Sequence, residues 1–450
     1  MRIMIVGAGM VGYHLCEKLS VEGQEVVLID QDEAKLRRIE RNLNILPIRG
    51  SGASARVLEE AGIEKTDLFI AVTDSDEVNL IACIISKNYN VKTRIARVRN
   101  EDFYAKGTCH AEKALGIDLL ISPDLAMTEE IMRLLTVSAA FEVAEFAHGQ
   151  VDLLGYAAQA GHPCVGLPLQ ELRDLQGLYD FIIVAIIRGN HTIIPRGQDM
   201  IEIGDRVYLV MRKNDVSAVE RLLFNTASQV PRNVFIVGGG TIGFLVARRL
   251  EEKKIGARLV EQSAARCEWL AEQLGQTVVL NCDGLDAQAL LDEGIDRADL
   301  VIAVTNSDTT NILSSLLAKH HGARKCITHI TSPGFIPMLG KLGIDVPLSP
   351  RQVAANMILR FVRGGGRLVS VASLMGSDAE VVEIKVPDRD HYRDIPLKRL
   401  DFPRGAIVGA VIRNSQIIIP SGNTKLTPGD SLVVFFTHAA LHAVETLFAE

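Results

Sequence analysis

Three glycines near the amino terminus, Gly7, Gly9 and Gly12, close an apolar run that begins at Ile3. Their spacing is the one with which a strand turns into a helix around a phosphate. Gly7 permits the tight turn, Gly9 lets the backbone approach a pyrophosphate, and Gly12 lets the following helix lie close to its sheet. The free N–H groups of that helix, with a macrodipole of roughly half a positive charge, favour an anion without a lysine. Ala8, Met10 and Val11 belong to the same turn. An acid ends the next apolar run, and Asp30 is expected there to accept hydrogen bonds from ribose hydroxyls and to repel a 2′-phosphate. NAD(H), ATP or ADP fit such a crevice, and NADP does not.

The elements that must hold these residues read as alternating helices and short buried strands. A helix from Val11 to Leu19 leads to a strand from Glu25 to Asp30, then a helix from about Glu33 to Asn42 and a strand from Asn44 to Ile48. The turn Gly50-Ser51-Gly52 follows, then a helix from Val57 to Ala61, a strand from Asp67 to Val72 and the loop Thr73-Asp74-Ser75-Asp76. Strands at Thr93 to Arg97 and Asp118 to Ile121 come next. This alternation predicts a parallel sheet covered on both faces. In open α/β sheets ligands bind beyond the carboxyl ends of the strands, so Thr73 and Asp74 face the crevice, and Ser51 is counted with them. Lys92, Arg94, Arg97 and Arg99 cluster around one strand, and alternation puts Arg97 and Arg99 on one face. Arg97 is the candidate for a charge-assisted, bidentate contact with a phosphate.

All of this happens twice. Gly238-Gly239-Gly240-Thr241-Ile242-Gly243 repeats the glycine turn 231 residues on, Glu261 replaces Asp30, and Thr305 and Asn306 replace Thr73 and Asp74. The arginines are lost, His329 and Thr331 standing where the first half has Arg97 and Arg99, so the two sites are not expected to be equivalent. Between the repeats, Pro123 to Ala139 reads as an amphipathic helix with Leu125, Ile131, Leu134 and Leu135 on its apolar face. It can pack on its own domain or on a partner. Strands at Phe181 to Arg188, Thr192 to Pro195 and Asp205 to Val210, a turn at Gly189-Asn190 and a helix at Val216 to Phe224 predict a small antiparallel β-rich domain. Ile187-Arg188 and Gly204-Asp205 return as Ile412-Arg413 and Gly429-Asp430. The fold class expected is α/β, two doubly wound Rossmann-type domains (1–122 and 232–349), each followed by a connecting helix (123–142 and 350–366) and a small α+β domain (143–225 and 367–450), with a linker at 226–231.

Composition narrows the function. Of 450 residues, 48% are hydrophobic and 23% charged, ordinary for a compact protein, and the net charge of −7 argues against general nucleic-acid binding. The longest wholly apolar run, Phe181 to Ile187, is far short of the roughly 20 residues a bilayer demands, and no secretory signal precedes Gly7, so a cytoplasmic protein is expected. Seven scattered cysteines without a CxxC pair read as small buried hydrophobes, and the lone Cys109-His110 pair does not make a metal site. A hydride-transfer enzyme would add a positioned His, Lys or Tyr in a second domain. No such constellation stands in either copy, His148, His162 and His191 reading as surface or turn residues. An NAD-dependent oxidoreductase and a purely structural scaffold remain the alternatives to a nucleotide sensor.

The doubled glycine turn, the strand-end acids, the loop Ala-Val-Thr-Asp/Asn-Ser-Asp followed by Asn79 or Asn311, and Ile95-Ala96-Arg97-Val98-Arg99 together resemble the TrkA family of cytoplasmic regulatory subunits of bacterial Trk potassium-uptake systems, built from tandem RCK units. The resemblance covers the whole chain. It implies a homotetrameric ring beneath a TrkH-class membrane subunit, with NAD(H) or ATP/ADP shifting the ring between states that permit or restrict potassium flux. It places nucleotide contacts on Gly7 through Val11, Asp30, Thr73, Asp74 and Arg97, and on Gly238 through Ile242, Glu261, Thr305 and Asn306.

Overall fold

A computed structural model describes the chain except residues 22, 101–102, 104–114, 136, 138, 175–179, 190, 227–229, 333, 364–367, 375–376, 378, 389–394, 401 and 449–450. The Cys109-His110 pair, Asn190 of the expected turn and the middle of the expected linker therefore lie outside the described residues.

Four sheets form. The first has six parallel strands, β1 (Arg2–Val6), β2 (Glu25–Asp30), β3 (Leu46–Arg49), β4 (Leu68–Ala71), β5 (Thr93–Arg97) and β6 (Leu119–Ile121), in the order β3-β2-β1-β4-β5-β6. Strands β1 and β4 are almost wholly apolar and buried, as strands covered by helices on both faces must be. The second sheet is antiparallel, with β7 (Glu142–Phe146), β8 (Val151–Ala157), β9 (Phe181–Arg188), β10 (His191–Ile193) and β11 (Arg206–Arg212) in the order β10-β9-β11-β8-β7. The expected small domain had three of these strands; β7 and β8 are additions.

The second half repeats the plan. Strands β12 (Asn233–Val237), β13 (Gly256–Glu261), β14 (Val278–Asn281), β15 (Leu300–Ala303), β16 (Lys325–His329) and β17 (Val346–Leu348) form a parallel sheet in the order β14-β13-β12-β15-β16-β17. Strands β18 (Leu368–Ser373), β19 (Ala379–Lys385), β20 (Ala406–Arg413), β21 (Gln416–Ile418) and β22 (Ser431–Thr437) form the second antiparallel sheet. The paired Arg and Asp noticed in the small-domain repeat are forked ion pairs. Arg188 Nε and Nη2 donate to Asp205 at 2.9 and 2.8 Å, and Arg413 does the same to Asp430 at 2.8 and 2.7 Å. Both carboxylates are buried, so these residues recur to close a sheet rather than to do chemistry.

The two halves exchange their connecting helices. Pro123–Leu135 packs on the second unit's glycine-turn helix, Thr241–Glu252, where Arg249 bonds Glu129 at 3.1 Å. In return Ala354, Ala355, Ile358 and Leu359 of helix Pro350–Arg363 join the core cluster of the first sheet, beside Leu15 and Leu19. Ile131, Leu134 and Leu135 are buried as expected, whereas Leu125 is only half-buried, its place on the apolar face taken by Ala126 and Met127. The first sheet thus borrows part of its cover, and any study of its ligand calls for the full chain. The two small sheets also meet. Val210 of β11 stands against Gly409 of β20, where a Cβ would lie 3.0 Å from Val210 Cγ2.

Asp152, on β8, is 4% exposed, and its Oδ1 has no hydrogen-bond partner among the described residues. Burial raises its pKa to about 6, Lys213 opposing and Glu145 assisting. A carboxyl whose folded pKa exceeds the unfolded value costs stability once it ionises, so wild-type stability is expected to fall as pH climbs from about 4 to about 6. Asp152→Asn should lack that slope and gain on the order of 2 kcal/mol over wild type between pH 5 and 7, read by urea denaturation at each pH.

Candidate nucleotide crevices

The first crevice opens where the strand order reverses, between β1 and β4. A cavity of about 250 Å³ lies there, lined among others by Gly7, Gly9, Asp30, Gly50, Gly52, Thr73 and Asp74. The glycine turn explains its own composition. Gly7 has φ +111°, and a Cβ there would stand 2.8 Å from the Thr73 nitrogen. A Cβ on Gly12 would stand 1.9 Å from the Gly7 carbonyl oxygen. At Gly9 it would meet nothing within 4 Å. The fold therefore requires Gly7 and Gly12 but not Gly9. The second unit behaves identically, with φ +112° at Gly238, a 1.9 Å clash of Gly243 with the Gly238 oxygen, and open space at Gly240.

The acid is already engaged by the turn. The Ala8 N–H donates to Asp30 Oδ2 at 2.6 Å, and the Asp32 N–H donates to Oδ1 at 2.8 Å. Glu261 repeats this, accepting from Gly239 N at 2.9 Å and Ser263 N at 2.8 Å. The acid thus orients the phosphate-facing backbone and keeps further lone pairs for a ribose. Met10 begins the helix and is 52% exposed, while Val11 and Ile242 are buried beneath the turns; Thr241 is exposed at the start of its helix. Ser51 takes the Ala53 N–H on its Oγ and is not among the residues that line the cavity. Its flanking glycines do line it, and a Cβ on Gly52 would lie 2.1 Å from Val6 Cγ1. Gln31, Lys35 and Val78 line the cavity without having been singled out from sequence.

One asparagine pins each Thr-containing loop. Asn79, wholly buried, accepts from Thr73 N and Oγ1 at 2.8 and 2.7 Å and donates to the Thr73 and Arg97 carbonyls at 3.1 and 2.9 Å. Asn311 makes the same four bonds to Thr305 and His329. These bonds tie the end of β4 to β5, and of β15 to β16, which fixes the floor of each crevice. Asn306 is exposed in its loop.

The basic cluster divides. Lys92 bonds Asp67 and Arg94 bonds Asp118 near the strand's other end, whereas Arg97 Nη1 and Arg99 Nη2 converge on Asp74 Oδ1 at 3.1 and 3.5 Å. Arg97 also donates to the Thr73 carbonyl at 3.3 Å. Asp74 is 80% exposed, so an incoming phosphate can exchange with it on two guanidinium groups already in place. At the corresponding end of β16 stands His329, 9% exposed, with neither ring nitrogen in hydrogen-bond geometry with any described residue. Burial pushes its pKa down, against the upward pull of the Thr305 backbone and the Asp308 and Asp124 carboxylates.

Two parallel sheets of dinucleotide-binding order, each with a glycine turn, a strand-end acid and an asparagine-pinned loop, define a tandem Rossmann-type protein with one small antiparallel sheet per unit. The TrkA-N domain matches residues 3–123 and 234–350, and the TrkA-C domain matches 153–223 and 381–449. The chain belongs to the TrkA family of Trk system potassium uptake proteins. It is 36% identical over 453 residues to the Halomonas elongata Trk system potassium uptake protein TrkA, covering 100% of this chain and 98% of that one. It is 35% identical over 458 residues to TrkA homolog 1 of Methanosarcina mazei, covering both completely. Among solved structures, the GsuK channel bound to NAD shares the fold at a TM-score of 0.62 and 20% identity, over 100% of this chain and 79% of that one. The GsuK RCK domain does so at 0.62 and 20%, over 100% and 95%.

Proposed function

We propose that this protein is the regulatory subunit of a Trk-type potassium-uptake system, binding NAD(H) or ATP/ADP in its two crevices and gating potassium flux through a TrkH-class membrane subunit. The observation that carries nucleotide binding is the pair Gly9 and Gly240, bare at positions where a side chain would meet no protein atom. A glycine that packing does not need is accounted for by a ligand whose phosphates approach the backbone there. NAD and ADP are named with GsuK, a structural neighbour, and potassium uptake is named for the relatives. Among the described residues lining the first cavity the ionisable groups are Asp30, Lys35 and Asp74. These suit recognition of ribose and phosphate, and they support a sensor over an oxidoreductase.

Assembly and place follow the same reading. No helix of the described residues is long and apolar enough to cross a membrane. In this reading the pore belongs to a partner, and the regulator sits at the cytoplasmic face through it. Exposed Ile81 and Ile84 on helix Asp76–Lys87, and Leu313 on the matching helix Asp308–His321, give each half an apolar face for a homotetrameric ring. The exchanged helices join the halves, so a ligand that prefers one arrangement of the crevices biases both.

Two measurements test the proposal. Co-purification with a TrkH-class subunit, followed by potassium flux in vesicles, should show flux changing as NAD(H) or ATP/ADP is added; turnover of NAD(H) with a small substrate would overturn the regulatory reading. Calorimetric titration of the full chain should show Asp30→Ala weakening all nucleotides by about ten-fold or more, and Arg97→Ala weakening ATP more than NAD. Unchanged affinities in both variants would remove the first crevice as the site.

A further inference from the structure

The second crevice lacks the arginine pair of the first, yet it holds a cation of its own. Arg266, in helix Ala264–Gln273, lies with its guanidinium 4.0 Å from the Trp269 ring centroid and donates from Nε to the Gly239 carbonyl at 2.8 Å. It therefore stands over the glycine turn, next to Glu261, whose carboxylate holds the Gly239 N–H. Its Nη groups donate to no described residue. In the first half the matching residues are Lys35 and Arg38, so no such stack exists there.

The other end of the second crevice is arranged against added negative charge. Where the first has Arg97 and Arg99 around Asp74, the second has Asn306, His329 and Thr331. Asp308, held by the Thr331 and Ser332 N–H groups at 2.8 Å each, and Asp124, brought over on the exchanged helix Pro123–Leu135, both act on His329. Asp308 has its counterpart in Asp76, which the Arg99 and Asn100 N–H groups hold in the first crevice, so the difference lies in Asp124 and the ring. A terminal phosphate would lack the two guanidinium groups and meet a neutral imidazole with the Asp124 carboxylate acting on it. A neutral imidazole offers one donor and one acceptor, which matches a carboxamide.

Resting on the reading of the crevices proposed above, we propose that the second crevice is a dinucleotide site favouring NAD over ATP. Arg266 holds the adenosine side, by stacking and by charge, and His329 meets the uncharged far end. Selectivity between the crevices then follows from the guanidinium pair beyond the glycine turn, which the first has and the second lacks; before the turn both keep a cation, Lys35 in the first and the Trp269-stacked Arg266 in the second.

Trp269 is the one tryptophan of the chain and touches Arg266, so its fluorescence reports directly on the second crevice. Full-length protein is titrated with NAD and with ATP while Trp269 emission is followed, and calorimetry counts total sites in parallel. NAD should change the emission with a half-saturation at least about ten-fold below that of ATP. Arg266→Gln should weaken NAD at this site about five-fold or more, with calorimetric binding at the first crevice intact. His329→Arg should tighten ATP at the Trp269-reported site. Equal or tighter ATP binding in the wild type, or no gain of ATP in His329→Arg, overturns the proposal. A silent Trp269 with calorimetry counting one nucleotide per chain overturns it too, while leaving the first crevice standing; no nucleotide binding by either method removes the underlying reading as well.

Discussion

Gly12→Ala is expected to unfold the first parallel sheet, and Gly9→Ala, three residues away, to leave it standing while weakening ligand binding. The added Cβ at position 12 would sit 1.9 Å from the Gly7 oxygen and 3.1 Å from the Gly7 carbonyl carbon. Both atoms are backbone, and Gly7 is itself wedged against Thr73, so the helix can relieve the clash only by lifting off the sheet. A loss above about 4 kcal/mol is expected, beyond the roughly 1–3 kcal/mol of ordinary overpacking, because neither backbone atom can move aside. At position 9 the methyl group enters open space, so stability should stay within about 0.5 kcal/mol of wild type. That methyl group would stand where phosphates must approach, and affinity should fall about ten-fold or more. Urea denaturation and calorimetric titration of the full chain separate the two effects. Undiminished binding in Gly9→Ala would mean that no phosphate lies against the turn. Gly243→Ala and Gly240→Ala should divide in the same way in the second half, because their surroundings repeat to within 0.1 Å at the closest contact.

The first crevice was legible because its chemistry is local. A glycine spacing, an acid at a strand end and a threonine loop lie on short stretches whose geometry follows from the strand–turn–helix unit. What sequence could not supply was partnership across the chain. Arg97 reads as a free phosphate ligand, yet it is held by Asp74, 23 residues away and on another strand's loop. Asn79 belongs visibly to the loop motif, but only the fold shows that its four bonds join two strand ends. Arg266 is harder to read because it lies outside the glycine turn and the threonine loop, and its first-half match is Lys35. The Trp269 and Arg266 pair, one helical turn apart beside the second acid, was the available signal.

The small domains were read less completely for a physical reason. Strand β9 is a continuous apolar run and stands out, whereas β8 carries Asp152 and Gly155 amid its buried residues and β7 carries two glutamates. Gly155 is required because a Cβ would lie 2.8 Å from the Phe141 ring. Burial of Asp152 against its preference is visible only once the sheet is assembled. Helix exchange is equally invisible from one element: the amphipathic stripe of Pro123–Leu135 states that something covers it, and not that the cover lies in the other half.

That exchange is latched by a buried lysine, and removing it should separate the halves. Lys325, first residue of β16, donates through Nζ to the carbonyl oxygens of Leu134, Val137 and Ala140 at 3.2, 2.9 and 2.8 Å. The last turn of the exchanged helix, through Leu134, and the segment that follows it, through Val137 and Ala140, thus have carbonyls satisfied by the second unit's sheet. Lys325→Met keeps the length of the side chain and removes the donor, leaving three buried acceptors without it. Each unsatisfied acceptor costs about 1–3 kcal/mol, offset in part by no longer burying a charge, so a net loss of roughly 2–4 kcal/mol is expected. Thr93, the first-half counterpart on β5, is only half-buried, and Thr93→Ala should change stability by less than about 1 kcal/mol. Burial lowers the Lys325 pKa to about 8, with Asp345 and Glu220 opposing. A lysine whose folded pKa lies below its unfolded value adds stability as pH rises from about 8 toward 10.5, because the unfolded chain then binds more protons. Wild type should therefore pull further ahead of Lys325→Met between pH 8 and pH 10 in denaturation measured at each pH. A gap that stays constant over that range, or a methionine variant as stable as wild type, would show that the lysine does not hold the helix.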